Sequence, residues 1–229
     1  MKKLIILFIA LFLFAGTLPN NPVEVDHSEE LALLSRLTSG GSEKSSFLPG
    51  ARVLELALKG YYKLVKNDSL PHPEILTVID FSLPSDKERM WVFNLNTGKL
   101  LFNILVAHGR NSGDVVASTF SNVPGSYTSS LGFYLTGEIY QGKHGLSLYL
   151  DGLERGINDK ARERAIVIHG AEYATHKFIN QYGRLGRSYG CPALPPEITQ
   201  DVINTIKGGS CFFIYAQDRD YLTRSPLLN

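Results

Sequence analysis

Hydrophobic residues recur at helical spacing in three segments of the chain, residues 26–37, 49–66 and 196–207. Asp26 is a candidate N-cap for the first segment, and prolines stand at the start of the other two, where a missing amide costs little. Each segment therefore predicts an amphipathic helix with one buried face. A shorter helix is predicted at residues 158–164.

Short runs of β-branched and aromatic residues, separated by turn residues, predict strands along the rest of the chain. An Asn-Thr-Gly turn at residues 96–98 joins two of these runs as a hairpin. Residues 121–159 are rich in Gly and Ser and predict long surface loops between strands, where function often lies. The expected strands are at residues 76–83, 89–95, 99–109, 132–135, 146–150, 165–170 and 210–216.

Residues 1–20 have the pattern of a signal peptide. Two lysines precede an apolar run at residues 4–16, which is shorter than the roughly 20 residues that span a bilayer. We expect cleavage and export to the periplasm or cell envelope, and an uncleaved membrane anchor is the alternative. Residues 21–46 are expected to form a short helix and a flexible linker, and residues 47–229 a compact domain.

The charge of the chain is nearly balanced. Lys and Arg total 23 and Asp and Glu total 22, a formal net charge of +1, and removal of the two N-terminal lysines leaves 21 against 22, or −1. Nucleic-acid-binding proteins usually carry a concentrated basic excess, so we expect no nucleic-acid partner. The chain has no phosphate-binding glycine motif. We expect no cofactor and a monomer.

The two cysteines, Cys191 and Cys211, limit the available chemistry. They are too few for a disulfide scaffold or a Cys-only zinc site, and no His-Glu-x-x-His motif occurs, so no metal is expected. In an exported chain the two residues could still form one structural disulfide. Cys211 lies in an apolar predicted strand, which favours a buried free thiol instead.

The most informative stretch is residues 166–194. A predicted strand ends in His169-Gly170, and a Ser-Tyr-Gly-Cys-Pro sequence places Cys191 22 residues after His169. Acyl transfer by a thiol needs a cysteine, a base that takes and returns its proton, and backbone amides that hold an oxyanion. These residues fit that chemistry, although an ordinary hydrogen-bonded histidine and a disulfide cysteine would give the same pattern.

This stretch resembles the L,D-transpeptidases of peptidoglycan, and most closely the secreted branch of murein L,D-transpeptidase catalytic-domain proteins. The resemblance covers roughly residues 47–217 and includes VAHGRNSG (106–113), FSN (120–122), SSLGFYLTGEIYQGKHGLSLYLDGLERGIND (129–159), RAIVIHGAEY (164–173) and GRSYGCPA (186–193). It implies that residues 47–229 form a catalytic domain. The fold that it implies is mainly β with flanking helices (α+β), an L,D-transpeptidase-like β-sandwich of curved mixed sheets.

The resemblance also assigns roles to residues. It implies that Cys191 is the nucleophile, that His169 is the base, and that the carbonyl of Gly170 orients His169. The amides of Tyr189, Gly190 and Cys191 would form the oxyanion hole. The residues expected to contact substrate are Ser188, Arg187, Tyr140 and His144.

Two residues depart from the commoner motif of the family. Tyr189 stands where a second histidine is usual, and Ala193 stands where a polar residue is usual. Tyr189 cannot be a general base near neutral pH because the pKa of a tyrosine is about 10. We therefore expect His169 to be the only base, and Arg184 or Arg187 to pair with a peptide carboxylate in place of the lost contact.

The implied reaction is a ping-pong acyl transfer on peptidoglycan stem peptides, with release of D-alanine and 3-3 cross-linking. If water is the acceptor, the enzyme is an L,D-carboxypeptidase. The competing interpretations are another cell-wall cysteine peptidase and a noncatalytic wall-binding envelope protein. Papain-like peptidases place Cys before His, whereas His169 precedes Cys191 here, which argues against the former; a disulfide would favour the latter. His108 and His144 are expected to support loops or neighbouring residues, His176 to be exposed, and Ser188 is the one rival nucleophile.

Overall fold

The computed structural model of the protein describes residues 27–38 and 48–229, with the side chains of the first range described from residue 31 to residue 37. The predicted signal peptide, the Asp26 cap, residues 39–46 of the predicted linker and Phe47 lie outside the described residues. Within the described ranges, no helix is long and apolar enough to cross a bilayer.

The described chain contains strands, helices and one 3-10 turn, and its strand content is confined to residues 72–215. The helices are α1 (His27–Thr38), α2 (Ala51–Lys66), α3 (His176–Tyr182), α4 (Pro196–Ile206) and α5 (Arg219–Arg224), with a 3-10 turn at Glu172–Ala174. The strands are β1 (His72–Asp80), β2 (Met90–Asn94), β3 (Lys99–Ile104), β4 (Gly132–Gly142), β5 (Gly145–Gly152), β6 (Val167–Gly170), β7 (Ala193–Leu194) and β8 (Ser210–Tyr215).

All eight strands belong to one mixed sheet with the order β3-β2-β1-β8-β4-β5-β6-β7. The β1–β8 and β6–β7 pairs are parallel, and the other pairs are antiparallel. The chain after β3 reaches the opposite edge of the sheet, where the amide of Ala107 donates to the carbonyl of Ala193 in β7 at 2.9 Å. The sheet is therefore curved and nearly closed, and the expected class, mainly β with flanking helices, is confirmed.

The core lies between the concave sheet and the helices. Gly60 of α2 sits under the ring of Phe133, where a Cβ atom would lie 2.0 Å from the ring, so the helix can approach the sheet only with glycine there. Phe133 in turn stacks on Phe213 of β8 at 4.2 Å. The predicted helices at 49–66 and 196–207 are thus confirmed, and their periodic apolar residues face the core.

The helix predicted at residues 158–164 does not form, and turns occupy that segment. The side-chain amide of Asn158 donates to the carbonyls of Leu131 and Phe133, at 3.0 Å each, and its oxygen accepts from the amide of Glu154. These bonds tie the segment to β4. Asn side chains compete with helical hydrogen bonding in this way, which explains the wrong prediction.

Candidate active site

His169 and Cys191 line one cavity of about 940 Å3. Its walls come from the β4–β5 hairpin, the residues before and within β6, and the loop before β7. The lining residues are Arg110, Tyr140, Gly142, Lys143, His144, Ser147, Arg164, Ala165, Val167, His169, Tyr173, Arg184, Arg187, Ser188, Tyr189 and Cys191. Of the residues expected to react or to contact substrate, the cavity brings together Cys191, His169, Ser188, Arg187, Tyr140 and His144, with Tyr189 also in its lining, whereas Gly170 and Gly190 do not line it.

The loop that carries Cys191, the cysteine loop (residues 188–192), is held in place by the side chain of Ser188. The Ser188 hydroxyl accepts a hydrogen bond from the Gly190 amide at 3.0 Å and donates to the carbonyl of Cys191 at 2.6 Å. Ser188 is 5% exposed, and its own amide donates to the carbonyl of His108. The hydroxyl is therefore engaged within the loop, which speaks against Ser188 as a rival nucleophile.

Gly190 adopts a backbone conformation that only glycine accommodates well. Its φ is +125°, and a Cβ atom there would lie 2.7 Å from the carbonyl oxygen of Thr128 and 3.0 Å from Cδ1 of Ile166. The glycine thus allows the cysteine loop to lie directly against the loop that contains Thr128.

The sulfur of Cys191 is held by main-chain groups on either side of Ile166. The Val167 amide donates to Sγ at 3.5 Å, and the thiol donates to the carbonyl of Ala165 at 3.6 Å. Burial raises the pKa of the Cys191 thiol, and the Val167 amide and the positive charge of Arg164 oppose that rise. The resting sulfur is therefore a neutral thiol near pH 7.

His169 is placed on β6 with one ring nitrogen committed to the main chain. Nδ1 lies 2.9 Å from the carbonyl oxygen of Gly170, and since a carbonyl only accepts, Nδ1 carries the proton and Nε2 is left unprotonated. Burial lowers the pKa of His169, and the nearby His144 and Lys143 lower it further. A neutral imidazole with a free Nε2 can accept a proton. Among the described residues, no hydrogen bond joins His169 to Cys191.

Backbone amides of the cysteine loop differ in their availability. The Gly190 amide is taken by the Ser188 hydroxyl, as described above. The amides of Tyr189 and Cys191 have no acceptor in any other described residue. Of the three amides expected to form an oxyanion hole, the Gly190 amide is thus already engaged within the loop.

The β4–β5 hairpin forms the wall opposite the cysteine loop. Its tip residue His144 stacks on the ring of His169, with ring centroids 4.7 Å apart. Tyr140 stacks on Tyr149 at 4.6 Å, also on this wall. The apolar run that predicts the first of these strands ends at Leu135, so the sequence does not predict the contact between the two histidines.

Tyr189 lies at the rim of the cavity rather than inside it. Its side chain is 63% exposed, its ring is 4.7 Å from that of Tyr127, and the guanidinium of Arg110 is 5.8 Å from its ring centroid. The hydroxyl makes no hydrogen bond to another described residue. This placement agrees with a contact role for the ring and not with a proton-transfer role.

The described lining of the cavity contains five Arg or Lys residues and no Asp or Glu. Arg184 and Arg187 share one carboxylate, that of Asp114, at 2.8 and 3.1 Å. Asp114 is 66% exposed, so this carboxylate is not tightly enclosed. The arrangement leaves a surplus of positive charge that suits an anionic ligand.

His108 is a buried structural histidine. Arg89 donates to its Nδ1 at 2.8 Å, and its Nε2 donates to the carbonyl of Gly113 at 3.3 Å. Burial and the charge of Arg89 lower the pKa of His108 to about 4, so the ring is neutral. His108 thus supports the loop that carries Asp114. His176, by contrast, is 69% exposed and lies 3.3 Å from Glu88.

Both cysteines are free thiols, so the disulfide that the sequence left open is absent. Cys211 is fully buried in the middle of the sheet, where β8 pairs with β1 and β4, whereas Cys191 faces the cavity. The described residues also contain no group of three or more His, Cys, Asp or Glu side chains that could hold a metal ion.

Comparison with known proteins identifies the class of the domain. Residues 49–215 match the family model described as "L,D-transpeptidase catalytic domain". The match covers most of the chain, and the protein therefore belongs to the L,D-transpeptidase catalytic-domain family, as the resemblance implied. No curated protein matches the chain.

Several solved structures are similar at low sequence identity. An L,D-transpeptidase from Mycobacterium smegmatis is 13% identical, with a TM-score of 0.39, over 62% of this chain and 59% of that one. The helical cell shape determining protein Pgp2 from Campylobacter jejuni is 15% identical, with a TM-score of 0.40, over 63% and 48%. An L,D-transpeptidase from Mycobacterium tuberculosis is 14% identical, with a TM-score of 0.37, over 62% and 57%. The chain thus spans about half to three fifths of the length of these proteins.

Proposed function

We propose that this protein is an exported, cysteine-dependent L,D-transpeptidase that acts on peptidoglycan stem peptides. The observation that carries the proposal is the shared cavity of Cys191 and His169, in which the bond from His169 to Gly170 leaves Nε2 unprotonated. The family of the domain supports the substrate class.

The first half-reaction forms a thioester. His169 Nε2 takes the proton of the Cys191 thiol, and the sulfur attacks the carbonyl of the third, L-centred residue of a stem tetrapeptide. The amides of Tyr189 and Cys191 hold the oxyanion. As the intermediate collapses, the C–N bond breaks, and the leaving D-alanine amine takes the proton back from His169.

The second half-reaction resolves the thioester. A side-chain amine of a second stem attacks the carbonyl, gives up a proton to His169 and forms a 3-3 cross-link. The Cys191 sulfur leaves and regains a proton. If water attacks instead, the product is a tripeptide and the enzyme is an L,D-carboxypeptidase.

The resting geometry requires the thiol to move before the reaction begins. The thiol donates to Ala165 and makes no hydrogen bond to His169, and a raised thiol pKa beside a lowered imidazole pKa favours the neutral pair. Rotation of the Cys191 side chain away from Ala165 would bring the sulfur towards the imidazole. Deprotonation would then accompany attack on the bound substrate and not precede it.

The charge of the cavity fits the chemistry of a stem peptide, which carries several carboxylates. Arg187, with Arg184, would receive a substrate carboxylate at the place where Asp114 now lies. Tyr140 and His144 form the facing wall. Export to the periplasm or cell envelope remains a prediction that rests on residues 1–20.

Intact-mass spectrometry with a defined tetrapeptide muropeptide tests the proposal. We expect a covalent adduct on the wild-type chain and on Cys211→Ala, and none on Cys191→Ala, with a cross-linked product when a second stem is present. Cys211→Ala should cost about 1–2 kcal/mol of stability as a small core truncation, and it serves as the matched control. An adduct or turnover in folded Cys191→Ala would refute the nucleophile assignment, and a tripeptide product alone would indicate the carboxypeptidase.

A further inference from the structure

Arg164 holds the loop of residues 121–130 at four points. Nη1 donates to the carbonyl of Ser121 at 2.7 Å and to the hydroxyl of Ser130 at 3.2 Å. Nη2 donates to the carbonyl of Thr128 at 2.6 Å and to the hydroxyl of Ser126 at 3.3 Å. One guanidinium group thus organises a loop that has no regular secondary structure of its own.

The same guanidinium lies against the cysteine loop. Nη2 would be 3.4 Å from a Cβ atom at Gly190, the residue before Cys191. The Thr128 carbonyl that Arg164 binds is the atom that comes closest to that position, at 2.7 Å. Arg164 also lines the cavity beside Cys191, and its Nε is buried without a hydrogen-bond partner. Among the described residues, no carboxylate forms an ion pair with Arg164.

Ala165, the next residue, has a strained backbone that faces the thiol. Its φ is +52°, a backbone conformation that is unfavourable for a residue other than glycine. Its carbonyl oxygen accepts the hydrogen bond from the Cys191 thiol. Strain of this kind persists only where the surrounding structure imposes it. Arg164 and Ala165 are thus neighbours in the chain that both line the cavity beside Cys191.

We propose that Arg164 is a positioning residue that stabilises the Cys191 thiolate by its charge and fixes the cysteine loop against residues 121–130. The inference rests on the proposed function, since it takes Cys191 as the nucleophile. Burial raises the pKa of the Cys191 thiol, and the charge of Arg164 opposes that rise, which agrees with the proposed stabilisation of the thiolate. The other charged or titratable groups that line the cavity are His144, His169, Lys143, Arg110, Arg184, Arg187, Tyr140, Tyr173 and Tyr189.

The pH profile of Cys191 alkylation by iodoacetamide tests the proposal, because it reports the thiolate fraction and needs no peptidoglycan substrate. Arg164→Gln removes the charge but keeps an amide that can bind a carbonyl, whereas Arg164→Lys keeps the charge and loses most of the hydrogen bonds. We expect alkylation near pH 7 to slow by about three- to tenfold in Arg164→Gln and by less than about twofold in Arg164→Lys.

Lys160→Ala is the matched control, since it removes one exposed positive charge from the same turn segment and lies outside the cavity. We expect its alkylation profile to equal that of the wild type. A folded Arg164→Gln with the wild-type profile would overturn the inference, as would equal profiles for the Gln and Lys variants.

A measurement on the unaltered chain keeps the inference testable if Arg164→Gln does not fold. Raising the salt concentration from about 0.05 M to 1 M should slow alkylation at a fixed pH below the thiol pKa, because ions screen a nearby cation. A rate independent of salt would overturn the inference. These results are separate from the test of the proposed function, which fails if Cys191 forms no adduct with the stem peptide.

Discussion

Replacement of Gly190 by alanine is the sharpest test of how the cysteine loop is built. The new Cβ atom would lie 2.7 Å from the Thr128 carbonyl oxygen and 3.0 Å from Ile166, closer than such contacts allow. The φ of +125° is a second obstacle, because side chains rarely adopt it.

The magnitude follows from these two terms. Backbone strain of this type costs about 1–3 kcal/mol, and overpacking a tight site adds about 1–3 kcal/mol. We therefore expect Gly190→Ala to lower the free energy of unfolding by about 2–6 kcal/mol. If the loop shifts instead, a displacement of about 1 Å at Cys191 should slow acylation by about 100-fold.

Gly183→Ala isolates the backbone term, so the difference between the two variants gives the steric term. Gly183 also has a positive φ, +72°, but no atom lies within 4 Å of its Cβ position, so this variant should lose only about 1–2 kcal/mol. Urea denaturation measures both losses, and mass spectrometry follows acylation. Suppose that both variants lose the same free energy of unfolding and both keep the wild-type rate of acylation. That result would refute the close approach of the cysteine loop to Thr128.

Three further predictions concern the chemistry and its support. His169→Ala should slow thioester formation by about 10²- to 10⁴-fold, whereas Tyr189→Phe should have little effect in the same assay; equal losses would assign a catalytic role to the tyrosine hydroxyl. A carbapenem should acylate Cys191, and peptide mapping should find no adduct on Ser188; an adduct on Ser188 would transfer the nucleophile role. The pKa of His108 falls from about 6.5 in the unfolded chain to about 4 in the folded one, so the stability that its neutral form provides is present above pH 6.5 and is lost as the pH falls towards 4. The expected loss in the free energy of unfolding is about 3 kcal/mol, and urea denaturation at pH 7 and pH 4 measures it. A His108→Gln variant with the same pH dependence of stability as the wild type would contradict this prediction.

The sequence predicted the elements whose signal is local. The apolar period of residues 49–66 and 196–207 marked two helices, and the β-branched runs marked most of the strands. The motif around Cys191 and His169 pointed to the family for the same reason, because its residues are close together in sequence.

Features that depend on distant contacts were missed. The β4–β5 hairpin turns at Lys143 and His144 without the Asn-Gly signal of a tight turn, so its length was underestimated. The role of Arg164 was not predicted, because its hydrogen bonds to residues 121–130 join segments more than 30 positions apart in the sequence. The backbone of Ala165 gave no signal, since alanine is common in every kind of element.

The seam at which the sheet closes has a consequence for motion. Before Cys191 in the chain, Ser188 forms backbone hydrogen bonds with His108 and Arg110. After Cys191, Ala193 forms backbone hydrogen bonds with Ala107. Both ends of the cysteine loop are therefore hydrogen-bonded to a single segment of the chain, residues 107–110. The loop cannot open outward without breaking these hydrogen bonds. Amide hydrogen exchange at its two ends should therefore be slow and concerted. A substrate must then enter through the mouth of the cavity, because the loop does not open to admit it.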